Sequence, residues 1–299
     1  MYAGIDEFVT GMSAFLRAGV AAGEPSLVVV SARKIALLRE ALDGDADRVL
    51  FADMAGVGSN PARIIPAWRE FVTAHGDTGR PLRGIGEPIY PERSSAEMVE
   101  CHRHEALLNI AFADTPAFHL VCPYDSTALD PEVVETARRT HPEVVEDGVA
   151  GASALFDGLD AVAEPFADPL PPPPADAAEI EIDADTLRAA RRFVRGAAAA
   201  APLTPERARD LVVAVNEIAT NTVVHGGGRG RLLAWREPDV LVFEVRDAGR
   251  IAQPLAGRVR PAHGQIGGYG LWLANQLCDL VQVRAYGSAG AVRLHMRLD

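Results

Sequence analysis

Apolar and polar positions change rhythm along this chain. In the first half, short apolar runs alternate with segments of helical period. Ser26–Val30 (SLVVV), Arg48–Asp53 (RVLFAD), Leu82–Glu87 (LRGIGE) and Phe118–Asp125 (FHLVCPYD) are bounded by polar or turn residues and predict strands. Between them, ARKIALLREAL, NPARIIPAWREFVTAH and SSAEMVECHRHEALLNIAF predict helices. This alternation predicts an α/β domain with a mostly parallel sheet. Such sheets take ligands at the carboxyl ends of their strands, where Asp53, Glu87 and Asp125 fall. No G-x-x-x-x-G-K-[ST] follows any of these strands, so a working phosphate loop is not expected here.

The second half reads differently. AEIEID alternates as a short strand, and TLRAARRFVRGAAAA is a helix. TPERARDLVVAVNEIATNTVVHG is a longer helix, with Thr204 as N-cap, Pro205 at the first helical position and Gly226 past the end. GRLLAWRE and DVLVFEVRD alternate like half-buried strands, GLWLANQLCD is a helix, and LVQVRAYGSAGAVRLHMRL is a hairpin turning at Gly287–Gly290. Helices on one face of a mostly antiparallel sheet make an α+β sandwich. Pro171–Pro174 sit between the halves and favour an extended spacer. The expected domains are 1–162 and 178–299, joined by a Pro-rich linker at 163–177.

Composition sets bounds. The 299 residues are 48% hydrophobic and 23% charged, which is globular. Residues 1–177 hold 13 basic and 28 acidic side chains for a net −15, and residues 178–299 are net +3. The first half offers no basic face, so direct nucleic-acid binding is not expected. No apolar run is long enough to span a bilayer, and the N-terminus lacks the pattern of a signal peptide. Three scattered cysteines make no disulfide framework. A cytoplasmic location is expected, with no membrane partner.

The longest predicted helix carries unusual chemistry. Glu217, Asn221 and His225 follow at intervals of four and share one face, with Asn216 about a quarter-turn away. An unpaired buried carboxylate costs several kcal/mol, so this edge must meet a cavity, a partner or an ion. An amide oxygen and waters suit Mg²⁺, and a nearby carboxylate can take a proton from a hydroxyl. By spacing alone, a solvated helix edge fits equally well. Two further motifs change the balance. VRDAG places Asp247 at a strand end with Gly249 in the turn. GGYGLWLANQL runs from a glycine-rich turn, Gly268 and Gly270, into a helix at Leu271, a natural phosphate cradle. RIAQPLAGRVRPAHGQI between them is a polar loop suited to be a lid.

Glu-x-x-x-Asn on a helix, Asp-x-Gly after a strand and Gly-x-Gly-Leu opening a helix, in that order, resemble the ATP-binding domain of the GHKL superfamily, the Bergerat fold. NEIATNTVVHG is similar to its branch of bacterial anti-sigma factors that act as serine kinases. The resemblance covers residues 178–299. It implies ATP and Mg²⁺ as cofactors, with Asn221 as the Mg²⁺ ligand and Glu217 as catalytic base. It also implies Asp247 as acceptor of the adenine amino group, Gly249 beside the purine, and Gly268, Gly270 and Leu271 at the phosphates. His225 is read first as a helix-end residue and second as a phosphate-side contact. One position departs: Ile251 stands where the family often has a second glycine. The preceding helix has no His, and no coiled-coil seam precedes the domain, so a two-component histidine kinase is not expected. Gyrase-like and Hsp90-like proteins are not expected either, since they need large further domains.

GEPSLVVVSARK, NPARIIPAWREF, GIGEPIYPER, ECHRHEALLN and CPYDSTALDPEVVETARRTHP resemble the MEDS (DcmR-type) sensory domain, a degenerate RecA-like relative. MEDS followed by GHKL is the layout of actinobacterial regulators of the RsbA-like type. That resemblance implies a sigma factor and its anti-anti-sigma antagonist as partners, with a small-molecule ligand at the N-terminal domain. Coupling between the halves runs through an interface or a homodimer. The alternative is a non-catalytic module that only sequesters its partner. Cys101–Glu105 (CHRHE), with Cys122, invites a metal or haem reading. With no fourth ligand at a usual spacing, a helix packing Met98, Cys101 and Leu108 inward is preferred. Glu87, His104, Glu105 and Asn109 are the candidates for a sensory pocket.

Overall fold

The computed structural model describes residues 1–115, 117–146, 148–158, 168–251, 253–262, 268–286 and 289–299. The chain divides into two compact units, Met1–Val162 and Ala163–Asp299. Residues 163–167 of the expected linker, 252 and 263–266 of the expected lid, Gly267 at the start of the expected glycine-rich turn and the hairpin positions 287–288 lie outside the described residues. No helix among the described residues is long and apolar enough to cross a membrane.

The first unit is built on four parallel strands in the order β2-β1-β3-β4: β1 Ser26–Val30, β2 Leu50–Asp53, β3 Leu82–Gly86 and β4 Phe118–Val121. Helices α1 (Gly4–Ala22), α2 (Ala32–Leu42), a short α3 (Met54–Val57), α4 (Ile64–His75), α5 (Ser95–Ala111) and α6 (Pro131–Thr140) surround it. Strand alternation divides the core between the two faces. Val28, Val30 and Ile85 pack with Phe8 and Leu16 of α1 and Leu38 of α2. Leu27 and Val29 pack with Trp68 and Phe71 of α4 and Leu108 of α5. This central burial explains why the strand reads VVV without polar alternation.

Among the described residues, α1, the short α3, α6 and an exposed hairpin, β5 (Glu143–Glu146) with β6 (Val149–Ala152), go beyond the expected set. Helix α1 starts without a side-chain cap and carries Gly11 and Gly19 inside, so its local sequence signal is weak. Helix α5 begins with a full capping box, Ser94 and Glu97 each bonding the other's backbone N–H. It is then buried nearly all round, Glu100, Arg103, His104 and Glu105 included.

The second unit is an antiparallel sheet in the order β10-β11-β9-β8-β7, from β7 (Ala178–Asp183), β8 (Arg229–Glu237), β9 (Val240–Asp247), β10 (Leu280–Tyr286) and β11 (Ala289–Arg297). Helices α7 (Leu187–Ala199), α8 (Pro205–His225) and α9 (Tyr269–Leu277) pack into one core with it. Ala190, Val194 and Ala198 of α7 recur at four-residue spacing and are all buried. Leu241, Phe243 and Val245 of β9 face these helices, with Phe243 fully buried. Phe243→Ala is expected to destabilise this unit by about 3–5 kcal/mol, read as a fall in the denaturant midpoint of its unfolding transition. The opposite face of the sheet buries Glu244, which is paired with Arg246 and Arg293, and Arg293 also donates to the Pro171 carbonyl at 2.6 Å. The start of the proline run is thus held to this sheet.

Candidate functional site

Helix α8 begins as its sequence requires. The Thr204 hydroxyl accepts from the Arg207 N–H, Pro205 takes the first position, and the chain leaves the helix at Gly226. Gly226 is not left-handed (φ −92°); the positive-φ turn is made by Gly227 and Gly228. Asn216, on the flank, accepts from Arg191 of α7 and so ties two helices together. That leaves Glu217, Asn221 and His225 on the other edge.

The end of β9 meets the last turn of α8. Asp247 Oδ2 accepts from the Thr222 hydroxyl at 2.7 Å, and Oδ1 accepts from the Gly249 N–H at 2.8 Å. These two bonds fix the plane of the carboxylate. Gly226 makes the approach possible: a Cβ there would overlap Oδ2 and come within 2.6 Å of Asp247 Cγ. The Ala248 N–H donates to the Gly226 carbonyl at 3.2 Å, closing the junction.

Helix α9 starts against the same place. Its N-cap, Gly268, is left-handed (φ 86°) and offers no side chain, so the first-turn N–H groups have no side-chain cap. Gly270 lies against α8: a Cβ on it would sit 2.9 Å from Asn221 Nδ2 and 3.4 Å from Glu217 Cβ. The uncapped helix start therefore faces both side chains, the arrangement that receives an anion.

These junctions enclose a cavity of about 210 Å³. Asn221, His225, Asp247, Gly249, Gly268 and Leu271 all line it, with Ile218, Val245 and Val292 as apolar wall. Glu217 and Gly270 stand beside the lining rather than in it. Sequence reasoning missed Thr222, the support of Asp247, and treated Gly226 only as a helix end. It also missed Arg284 of β10, a buried cation that lines the cavity and donates to the Val283 carbonyl at 2.8 Å. The run NTVVHGGG contained Thr222 and Gly226, but nothing local distinguishes them from ordinary helix-end residues. The described part of the expected lid is tied to α9: Asn275 donates to the Gly257 carbonyl at 3.1 Å and the Tyr269 hydroxyl to the Ala262 carbonyl at 3.2 Å. Ile251 lines the cavity and is 40% exposed.

The residues present fit Mg-ATP: a fixed carboxylate acceptor and an amide oxygen line one cavity with apolar walls, and an uncapped helix start lies beside the amide.

The four sensory candidates of the first unit are not gathered into one pocket. Glu87, just past β3, accepts from the Tyr2 hydroxyl at 2.7 Å and from Lys34 Nζ at 2.6 Å. Burial pushes its carboxyl pKa up, against the pull of Lys34. His104 is buried in α5. Cys101 packs with Ile89, Tyr124, Leu129 and Val134, and Met98 joins that cluster, whereas Leu108 packs in another. Glu105 and Asn109 do share a second cavity, of about 260 Å³, with Cys122, Thr140 and His141. His141 Nε2 lies 3.1 Å from Glu105 Oε2, at ion-pair distance. The ligand atoms of Glu105, Cys122 and His141 all fall within 4.8 Å of one another. His141 closes α6 and is 36 positions from Glu105, so no local spacing announces it.

Residues 1–142 match the family described as the MEDS, or methanogen/methylotroph, DcmR sensory domain. Residues 180–297 match the family described as the histidine kinase-like ATPase domain. The chain thus carries an N-terminal sensory domain and a C-terminal domain of the GHKL ATPase type, the combination of a regulatory signalling protein. No curated protein matches it.

Proposed function

We propose that this protein is an intracellular switch in which the sensory domain biases an Mg-ATP-binding domain that restrains a sigma factor and phosphorylates its antagonist on serine or threonine. The observation that carries the reading is Asp247, anchored by Thr222 and Gly249 and opening onto the same cavity as Asn221. Its free lone pairs suit the adenine amino group, and the apolar walls suit the purine faces. Asn221 would hold Mg²⁺ together with waters, and the α9 N-terminus would receive the phosphates. The bound nucleotide supplies the phosphoryl group. Glu217, one turn before Asn221 on the same edge, would take the proton of an incoming hydroxyl. Positioning and charge stabilisation carry most of such a transfer.

The rival reading, a sequestering module without transfer, is favoured by Ile251, a branched apolar side chain at the cavity rim. The two are separated by adding labelled ATP to the full-length protein with purified sigma factor and antagonist. Transfer of label to the antagonist supports the kinase, whereas ATP binding and complex formation without transfer leave the sequestering module. Removal of residues 1–162 is expected to change antagonist phosphorylation by roughly 5–150-fold, the span of ordinary allosteric couplings. Identical rates for the full-length and truncated proteins, across candidate effectors, would contradict sensory control.

A further inference from the structure

We propose that Glu105, Cys122 and His141 form a mononuclear transition-metal site of the zinc class in the sensory domain, with one coordination position open to the adjoining cavity. Three elements converge there: the middle of α5, the residue after β4, and the residue that closes α6. The first supporting observation is Glu105. Its side chain is fully buried. A fully buried carboxylate set against a thiol and an imidazole is a place where a metal cation would be well held.

The second observation is the tautomer that the surroundings of His141 demand. Its Nδ1 lies 2.8 Å from the Ala137 carbonyl, which can only accept, so Nδ1 carries the hydrogen. Nε2 faces Glu105 and Cys122 and is the nitrogen a metal would take, displacing any proton it shares with the carboxylate, as in metal-bound histidines whose other nitrogen bonds a backbone carbonyl. The Tyr124 ring packs edge-on against the imidazole, centroids 5.7 Å apart at 87°, and holds its plane. A tetrahedral zinc with bonds of about 2.0–2.3 Å separates its ligand atoms by roughly 3.3–3.6 Å. The three ligand atoms lie within 4.8 Å of one another, so small side-chain adjustments complete the set.

The donor set selects the metal. A thiolate with an imidazole and a carboxylate suits Zn²⁺ or its first-row neighbours and not Mg²⁺ or Ca²⁺. On binding, the Cys122 thiol gives up its proton to solvent and the thiolate sulfur takes the metal. Three protein ligands leave a fourth position. It opens toward the cavity of about 260 Å³, whose walls include Leu108, Phe112, Phe118 and Leu120. Water, or the donor atom of a small molecule with an apolar body, fits there.

The test uses the full-length protein, stripped with chelator and titrated with zinc alone, without nucleotide and with Mg²⁺ in excess. One equivalent of zinc is expected to bind. Cobalt substitution should produce a thiolate-to-metal charge-transfer band. Cys122→Ala should abolish that band and weaken zinc binding by roughly 100-fold or more, while Cys101→Ala, which removes a buried thiol from the neighbouring apolar cluster, leaves both unchanged. His141→Gln, checked for native circular dichroism, repeats the loss should Cys122→Ala fold poorly. Absence of stoichiometric zinc uptake by the wild type, a cobalt spectrum without the thiolate band, or unchanged affinity in a folded Cys122→Ala or His141→Gln protein would each overturn the site and leave a buried ion pair.

Discussion

Asp247→Asn is expected to weaken Mg-ATP binding by roughly 100-fold or more while leaving the fold of the second unit nearly untouched. The carboxylate spends one oxygen on the Gly249 N–H and the other on the Thr222 hydroxyl. An asparagine preserves both contacts: its Oδ1 accepts from Gly249, and its amide group donates to Thr222, whose hydroxyl can also accept. The junction of α8 and β9 therefore survives. The cavity side does not. In place of a second oxygen, an N–H now meets the adenine amino group, so two donors face each other in a buried slot and neither is satisfied. A lost charge-assisted bond is worth about 1.5–3 kcal/mol, and an orphaned buried donor adds about 1–3 kcal/mol. Titration calorimetry with ATP measures the affinity, and a denaturation midpoint close to wild type confirms that the loss is local. Equal ATP affinity for wild type and variant would remove Asp247 as the adenine acceptor.

What the sequence made legible follows from which signals are local. Periodicity located α2, α5, α7, α8 and α9, and the switch to alternation located β7, β8 and β9, because the side chains involved lie within one element. Glu217 and Asn221 were readable for the same reason: four residues on one helix fix one edge. Asp247 was readable from its turn. Thr222 was not, since its role is set by the approach of β9 to α8, and an isolated threonine in a helix carries no mark of that. Gly226 looked like a helix end, whereas the space it leaves for Asp247 is decided by the tertiary junction. Arg284 reaches the cavity only because of the β10-β11-β9 strand order. In the first unit the limit is sharper. The local pattern CHRHE drew attention to Cys101 and His104, yet the fold turns Cys101 into the apolar core and brings Cys122 and His141 to Glu105. Side chains on facing elements cannot be paired by spacing along one.

Replacing Glu217 and Asn221 separately is expected to divide chemistry from binding. The two side chains share an edge of α8, but they meet the nucleotide differently. Asn221 lines the cavity, and its amide lies against Gly270 at the start of α9, where metal and phosphates would converge. Its removal takes away the protein's oxygen ligand to Mg²⁺, so Asn221→Ala should lose Mg-dependent ATP affinity and, with it, phosphoryl transfer. Glu217 stands beside the lining, one turn earlier on the same helix edge, and in the proposed reading acts on the incoming hydroxyl. Its carboxylate repels the phosphates in the ground state, so Glu217→Ala should bind ATP as well as wild type or slightly better. A general base contributes about 10²–10⁴-fold to rate, and that factor should disappear from transfer to the antagonist. Glu217→Gln, which keeps the shape and removes the basicity, should fall equally far; full activity in Glu217→Gln would mean that Glu217 serves only to position a neighbour. Measurement needs two readouts on each variant: nucleotide affinity with and without Mg²⁺, and initial rate of label transfer from ATP to purified antagonist. Loss of ATP affinity in Glu217→Ala, with rate falling only in proportion, would reassign the residue to binding. Transfer that survives Glu217→Ala unchanged would keep the kinase and require another base on this edge, with His225, which lines the cavity one further turn past Asn221, the next to replace.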